Sequence, residues 1–278
     1  MTRADGSKKE GDPMNYKVDY HIHTHYSDGT MSPVEVVRQY NDEEYDIISI
    51  TDHDGIDGLN EAMIAGEALK IQVVAGVELS TEQDNIELHI LGYNFDPENE
   101  ALRAKLKELR EFRRERNKVL IEKLTELGYP VNLEELEKQS KGKYVGKPNI
   151  ARALVKAGYI TEVSDAWTPG KFFNAPEVKA IHKEKMKTED AIRLLQQAGG
   201  MAVLAHPGKI KGLGERDSEE YWNNMDQLIR TLKKAGLKGM ECVYPSHTEE
   251  EKWKFVQLAS KYHLHVTEGS DFHGDRRG

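Results

Sequence analysis

A single cysteine, Cys242, stands in 278 residues. It cannot close an internal disulfide, and thiolates cannot dominate any metal site; both absences suit a reducing cytoplasm. No apolar run approaches the roughly 18 residues of a membrane span, and the N-terminus lacks the apolar core of a secretory signal. Positive charge is also short, with 39 Lys and Arg against 48 Asp and Glu and a net charge of −9. A broad nucleic-acid groove would be basic, so the balance speaks against a long nucleic acid as partner. It leaves room for a small phosphorylated substrate, because a metal cluster can supply positive charge locally. The chain shows no internal repeat and no low-complexity tract. Its first 13 residues are polar and rich in Gly, Lys and Asp. They read as a disordered tail or non-native leader, with Met14 as a candidate native start.

What is present is a chain long enough for one large domain, or one domain carrying an insertion. It is organised around Asp19-Tyr20-His21-Ile22-His23-Thr24-His25-Tyr26-Ser27-Asp28-Gly29. An extended run, Tyr16 to Tyr20, enters this stretch, and a Ser-Asp-Gly turn leaves it. His21 and His23 are two apart, so on a strand both imidazoles point to one side. Asp28 follows in a loop able to fold back over them. Paired imidazoles plus a carboxylate at a strand end are a way to hold a divalent metal.

Further along, Pro33 to Tyr40 reads as a short helix, with Ser32 as N-cap and Pro33 in the first position. Asp46 to Ile50 is a buried strand delivering Thr51-Asp52-His53-Asp54-Gly55. A helix from Gly58 to Lys70 precedes a third strand, Gln72 to Ala75, ending in Gly76-Val77-Glu78. Glu87 to Leu91 is a fourth strand. Too few residues separate it from the third for a helical crossover, so β-α alternation breaks there. Residues 100–127 form a long charged helix, followed by helical patterns near 132–140, 148–158 and 188–198. Alternation resumes with Met201 to Ala205, which reaches His206-Pro207-Gly208, and a helix near 218–235 leads to Gly239 through Tyr244. A helix from Thr248 to Tyr262 leads to His265-Val266-Thr267 and then Gly269-Ser270-Asp271-Phe272-His273-Gly274.

Seven short strands, mostly alternating with helices, point to an α/β barrel or an open parallel sheet. His21, His23, His53, Glu78, His206, Asp271 and His273 all fall at C-terminal strand ends, where barrel active sites assemble, and this favours the barrel. His89 falls inside its strand, which suits a strand running deeper or in another direction. Any one of these residues has an ordinary explanation: a surface histidine, a turn aspartate at Asp28, a cap at Asp271. Together they would carry a heavy desolvation cost without a metal.

These residues carry a family resemblance. His21-x-His23-Thr-x-x-Ser-Asp28-Gly, Thr-Asp-His53-Asp, Gly-Val-Glu78, Leu-His89-x-Leu-Gly-Tyr, Ala-His206-Pro and Gly-Ser-Asp271-Phe-His273-Gly stand in the order of the polymerase-and-histidinol-phosphatase (PHP) family. The resemblance covers about residues 14 to 274. It implies a distorted seven-stranded TIM-like barrel, formed by 14–93 and 191–278, with a helical insertion, 94–190, as substrate cap. It also implies three divalent metals. His21, His23, Glu78 and Asp271 would hold one, with Glu78 bridging to a second held by His89 and His206. Asp28, His53 and His273 would hold the third. Imidazole and carboxylate ligands without thiolate suit Mn, Fe or Zn. The helical insertion is similar to that of the subgroup hydrolysing small nucleotide phosphates or short RNA from the 5′ end. Relatives run on beyond the position of Gly278, which implies a less supported loop around Asp271 and His273.

The long helix carries its own signal. Leu102, Leu106, Leu109, Arg113, Arg116, Leu120, Leu124 and Leu127 follow the spacing of one inward face. Arg113 and Arg116 thus interrupt a leucine stripe. They either grip phosphate oxygens at the barrel mouth, or snorkel and pair with acidic neighbours such as Glu108. Lys147, at the start of Lys147-Pro148-Asn149-Ile150, sits where a helix N-terminus meets an anion; relatives show Arg and His where this chain has Lys147 and Asn149. His247, after the sixth strand, is a candidate for phosphate contact or for protonating a leaving oxygen, and Lys209 is a further substrate candidate. Asp28, His53 and His247 are the catalytic candidates. His25, His182 and His263 read as structural or solvent residues, and Cys242 as buried and apolar.

The combined expectation is a cytoplasmic, metal-dependent phosphoesterase acting on a nucleotide phosphate. Clustered cations would neutralise phosphate oxygens and make hydroxide available near neutral pH. Histidinol-phosphate phosphatase is the same chemistry on a smaller substrate; the arginine pair and helical cap favour a bulkier, doubly anionic one. A polymerase-attached proofreading nuclease fits an acidic chain poorly, and the intact ligand set speaks against a non-catalytic metal-stabilised binding module.

Overall fold

The computed structural model describes residues 16–140, 144–181 and 185–274; the tail expected over residues 1–13, His182 and the chain end at 275–278 lie outside them. The strands follow local chemistry. Val18–Ile22 (β1) and Ile47–Ile50 (β2) are rich in β-branched residues. The helix between them, Pro33–Asp42 (α1), begins with Ser32 and Glu35 in a reciprocal capping box and Pro33 in its first turn. The helix Leu59–Leu69 (α2) leads into Gln72–Gln83 (β3), which turns directly into Ile86–Tyr93 (β4).

β1, β2 and the first part of β3 are parallel, with Ile47 to Ile50 opposite Gln72 to Ala75. From Gly76 onward β3 instead pairs antiparallel with β4, up to Gln83 opposite Ile86. Gly76 marks this switch: a Cβ there would lie 2.2 Å from Ser49 Oγ and 2.5 Å from the Ile50 carbonyl oxygen. β3 is therefore much longer than the expected Gln72 to Ala75, and Glu78 lies within it rather than at its end. The polar run Ser80-Thr81-Glu82-Gln83 conceals the extension in the sequence; cross-strand pairing with β4 supports it. β1 is likewise displaced from the expected Tyr16 to Tyr20, so His21 lies inside the strand and His23 just past it.

After β4 come the long helix Glu100–Glu126 (α3), Leu133–Gln139 (α4), Lys147–Lys156 (α5) and the short Pro176–Lys179 (α6). Met186–Lys187 (β5), which the sequence did not signal, adds two residues alongside β3 and leads into Thr188–Gln197 (α7). Met201–Leu204 (β6), Glu219–Ala235 (α8), Gly239–Val243 (β7), Glu249–Lys261 (α9) and His265–Glu268 (β8) complete the described chain.

The main sheet path is β1-β2-β3-β4-β6-β7-β8. β4 runs antiparallel to both β3 and β6, and β6, β7 and β8 are mutually parallel. The ends meet where the His23 amide donates to the Phe272 carbonyl and the Phe272 amide to the His21 carbonyl. This is a nearly closed, distorted seven-stranded barrel.

Two apolar cores share α3. Leu102, Leu106 and Leu109 belong to the barrel core, while Leu120, Ile121 and Leu124 belong to a second core with Ile150, Leu154, Phe172 and Phe173. The expected leucine stripe ends one step early, since Leu127 caps α3 and is exposed. α7 packs its apolar face into the barrel core through Ala191, Ile192 and Leu195. The second core is held over the barrel mouth by polar contacts. Asn149 Nδ2 donates to the Ser27 carbonyl at 3.3 Å, and Arg152 donates to the Asp28 carbonyl at 2.6 Å. The Tyr144 ring stacks on His53, with centroids 5.7 Å apart.

Candidate metal centre

At the barrel mouth the structure brings together His21, His23, Asp28, His53, Glu78, His89, His206, Asp271 and His273. Glu78 is central. Its Oε2 lies 3.4 Å from His21 Nε2, 3.2 Å from His23 Nε2 and 3.0 Å from His53 Nδ1. Its Oε1 lies 2.8 Å from His89 Nδ1 and 3.0 Å from His206 Nε2. Asp271 Oδ1 completes the first group, 3.5 Å from His21 Nε2 and 3.2 Å from His23 Nε2. Asp28 gathers another group, with His273 Nε2 at 3.3 Å and His53 Nε2 at 3.7 Å. The antiparallel course of β4 explains how His89 joins from mid-strand: it stands opposite Ser80, two residues past Glu78 on β3.

The donor atoms fit divalent cations on two grounds. First, His21 Nε2, His23 Nε2, His53 Nδ1, Asp28 Oδ1 and Glu78 Oε2 are buried without a hydrogen-bond partner. Buried polar atoms are ordinarily satisfied, and here the orphans converge. Second, metal–ligand bonds of about 2.1 Å set tetrahedral ligand edges near 3.4 Å, and the imidazole–carboxylate separations around His21 and His23 are 3.2 to 3.5 Å. Two groupings that could hold an ion, His23 with Asp28, His53 and His273, and His53 with Glu78 and His89, share imidazoles with their neighbours. The expected partition is thus less strict in space: His53 turns one ring nitrogen to Asp28 and the other to Glu78.

Electrostatics agree. Burial would raise the carboxyls of Glu78, Asp28 and Asp271, but the facing imidazoles, with Lys209 at Asp271, hold all three well below the usual range. Burial opposes charge on His23, yet Asp271 and Glu78 push it up to about 10. The carboxylates stay ionised and draw positive charge towards them.

Several supporting residues escaped sequence reasoning. Asp52, buried, accepts from the Thr24 amide at 2.7 Å and from the hydroxyls of Thr24 and Ser27, tying the Asp28 loop to β2. Asp19 accepts from the amides of His21 and Ser270 and the hydroxyl of Tyr40, tying β1 to the Asp271 loop. Glu241, on β7, contacts His21 and the His206 amide. Its signal was available: a lone acid in the apolar run Gly-Met-Glu-Cys-Val. Tyr144 offered none.

The substrate candidates separate. Arg113 does not pair with Glu108, which binds Lys105 instead. Its guanidinium donates to the Asp54 carboxylate and, at 3.2 Å, to Ser80 Oγ, and lies 4.2 Å over the Tyr144 ring. Arg113 thereby ties α3 to the barrel. Arg116 has no carboxylate partner among the described residues, and burial together with Arg113 pushes its guanidinium down to about 10. Lys147, at the first turn of α5, is lowered by burial and by Arg116, with its ammonium 5.6 Å from the Phe173 ring centre. Lys209 donates to Asp271 Oδ2 at 2.8 Å, as does the Tyr244 hydroxyl at 2.8 Å, leaving Oδ1 to the histidines. His247 is buried with both nitrogens occupied: Nδ1 lies 2.9 Å from the Cys242 carbonyl, and Nε2 accepts from the Gly208 amide at 3.1 Å. That arrangement clamps the loop after β6 to the loop after β7. His25 is part-buried and His263 exposed, both outside the cluster.

A nearly closed α/β barrel with imidazoles and carboxylates crowded at its mouth, beneath helices, is an arrangement suited to metal-assisted hydrolysis. The chain belongs to the PHP domain family, whose model matches residues 19–242. It is similar to a 3′,5′-nucleoside bisphosphate phosphatase from Chromobacterium violaceum, 30% identical over 262 residues, covering 94% of this chain and 88% of that protein. A 5′-3′ exoribonuclease from Haemophilus influenzae is 29% identical over 260 residues, 94% of this chain and 91% of that one. Among solved structures, an amidohydrolase from Chromobacterium violaceum with bound sulfate and no metal superposes with a TM-score of 0.83 at 30% identity, covering 92% of this chain and 87% of the other.

Proposed function

We propose that the protein hydrolyses phosphate monoesters of nucleotides, such as a nucleoside 3′,5′-bisphosphate or AMP, or short 5′-phosphorylated RNA. The observation that carries this reading is the pair Arg116 and Lys147. Both are part-buried cations without a carboxylate partner among the described residues; burial lowers each, with Arg113 acting on Arg116 and Arg116 on Lys147, and such a pair calls for an anion. Arg116 also interacts with Tyr144, which stacks on the candidate ligand His53. A substrate with one phosphate at the cluster and a second at Arg116 and Lys147 uses both features.

His21, His23, Glu78 and Asp271, then Glu78 with His89 and His206, then Asp28, His53 and His273 would hold three divalent ions, of Mn, Fe or Zn. When bound, these supply charge neutralisation of the phosphate and activation of water. The chain itself orients the ester: Arg116 and Lys147 position, Tyr144 walls the site, and the helical segment limits water access. The nitrogen and oxygen donors, the single buried thiol and the acidic charge fit an enzyme of a reducing cytoplasm acting on small or short substrates rather than on long nucleic acid.

The test is turnover with added Mn²⁺: phosphate release from a nucleoside 3′,5′-bisphosphate, AMP and histidinol phosphate, and mononucleotide release from a short 5′-phosphorylated RNA. The nucleoside 3′,5′-bisphosphate is expected to exceed both AMP and histidinol phosphate in kcat/KM by about tenfold or more, the worth of one charge-assisted phosphate contact. Preference for histidinol phosphate would overturn the substrate assignment. No turnover of any of them by metal-loaded protein would overturn the enzymatic reading.

A further inference from the structure

We infer that Glu241 is a positioning residue that sets the metal-binding form of His21 and the placement of His206 together; this rests on the metal-centre reading above. Glu241 lies on β7, fully buried, and its two oxygens serve different elements. Oε1 is 3.0 Å from His21 Nδ1. A carboxylate there makes Nδ1 the protonated nitrogen and leaves the Nε2 lone pair facing Glu78 and Asp271, at 3.4 and 3.5 Å.

Oε2 accepts the backbone amide of His206 at 2.7 Å. His206 has φ of +25°, a conformation that L-residues rarely adopt. Anchoring its amide holds that backbone, and the ring then presents Nε2 3.0 Å from Glu78 Oε1. The approach to Asp271 is fitted to the same carboxylate: a Cβ at Gly269 would lie 2.3 Å from Glu241 Oε1 and 2.3 Å from His21 Cβ. Glu241 thereby serves the half of the centre built from His21, His206 and Asp271. The half around Asp28 rests on other supports, Asp52 through Ser27 and Arg152 at the Asp28 carbonyl.

Glu241→Gln keeps the shape but has only one acceptor oxygen, so its amide group must face either the His21 or the His206 donor. Mn²⁺ titration against a chromophoric chelator, with elemental analysis of retained metal, is expected to show affinity lost by about 10–100-fold at the positions served by His21 and His206. The remaining ion should stay within about twofold, and Glu241→Asp, which retains two acceptors, should recover part of the loss. In Zn²⁺-loaded wild-type protein labelled with ¹⁵N-histidine, NMR should place the His21 proton on Nδ1.

Unchanged affinity in Glu241→Gln, or equal weakening of every ion, overturns the inference. A proton on Nε2 of His21 overturns it even if the variant does not fold. Wild-type protein that binds no divalent metal overturns the metal-centre reading itself, and this inference with it.

Discussion

Arg113, midway along α3, is joined to Asp54, just past β2, across the boundary between the barrel core and the helical core. Asp54 also accepts from the Ser80 amide at 3.0 Å, so one carboxylate links β3, the His53 loop and α3. Removing one partner from a buried, hydrogen-bonded ion pair strands the other charge and typically costs about 3–5 kcal/mol. Arg113→Ala is therefore expected to lower unfolding stability by roughly 3 kcal/mol in urea titrations. A loss below about 0.5 kcal/mol, the scale of an ordinary surface change, would show that the pair is not structural.

Arg116→Ala and Lys147→Ala are expected to behave differently. Neither residue closes a described ion pair, so stability should change little. KM for a nucleoside 3′,5′-bisphosphate should rise by about tenfold each, the loss of one charge-assisted contact, with kcat moving less. Steady-state kinetics beside a single-phosphate substrate decide the matter: an equal KM rise on both would remove the second-phosphate role.

The contrast between neighbouring arginines shows what the sequence disclosed. Helical spacing on α3 placed both at an inward face, and the strand-end runs His21-x-His23, Thr-Asp-His53-Asp and Gly-Ser-Asp271-Phe-His273 identified a barrel mouth. Partners far apart in the chain were not legible, because no local pattern ties Asp54 to Arg113 or Glu241 to His206. The course of β3 past Gly76 was hidden for a related reason: its polar end is held by pairing with β4, not by its own propensity. The surroundings of His247 were equally hidden, because burial cannot be read from a motif: the structure buries it with two backbone hydrogen bonds.

Glu251 supplies a pH dependence away from the metal centre. Burial would raise its carboxyl, but Arg216, bidentate to it, and hydrogen bonds from Thr248 pull it down to about 2. A folded-state value below the ordinary one stabilises the protein above about pH 4.5, and the contribution fades as pH falls towards 2. Because Arg216 is partly exposed, solvent screening limits the term to on the order of 2 kcal/mol. Glu251→Gln retains a capping oxygen, so its stability deficit against wild type isolates the charge. Urea midpoints should differ clearly at pH 7, less at pH 3, and converge only at or below about pH 2; a constant deficit would assign the effect to packing.

Cys242 gives a probe of global unfolding. It is fully buried on β7, and burial pushes its thiol up to about 12. The thiolate is the reactive form, so an aromatic disulfide reagent at pH 8 should leave the native protein unmodified for as long as it stays folded. Labelling should complete in denaturant at one thiol per chain. Fast modification of native protein would mean that β7, and with it Glu241, opens locally.

Metal binding should stabilise the fold as well as enable catalysis. Five buried donor atoms of the centre lack hydrogen bonds within the protein, and each unsatisfied buried polar atom costs about 1–3 kcal/mol. A cation binding only the folded state adds RT ln(1 + [L]/Kd), about 4 kcal/mol at a thousandfold excess over Kd. Chelator-treated protein is therefore expected to melt several degrees lower, with Mn²⁺ or Zn²⁺ restoring the loss. Mg²⁺ should restore less, because the donor set is rich in imidazole and Mg²⁺ prefers oxygen and its own water. His89→Gln, which removes one of the two imidazoles at Glu78 Oε1, should shrink the Mn²⁺-induced rise without abolishing it. A melting temperature indifferent to chelation and to Mn²⁺ would mean that the orphaned atoms are satisfied in some other way, and the metal assignment would fall with that result.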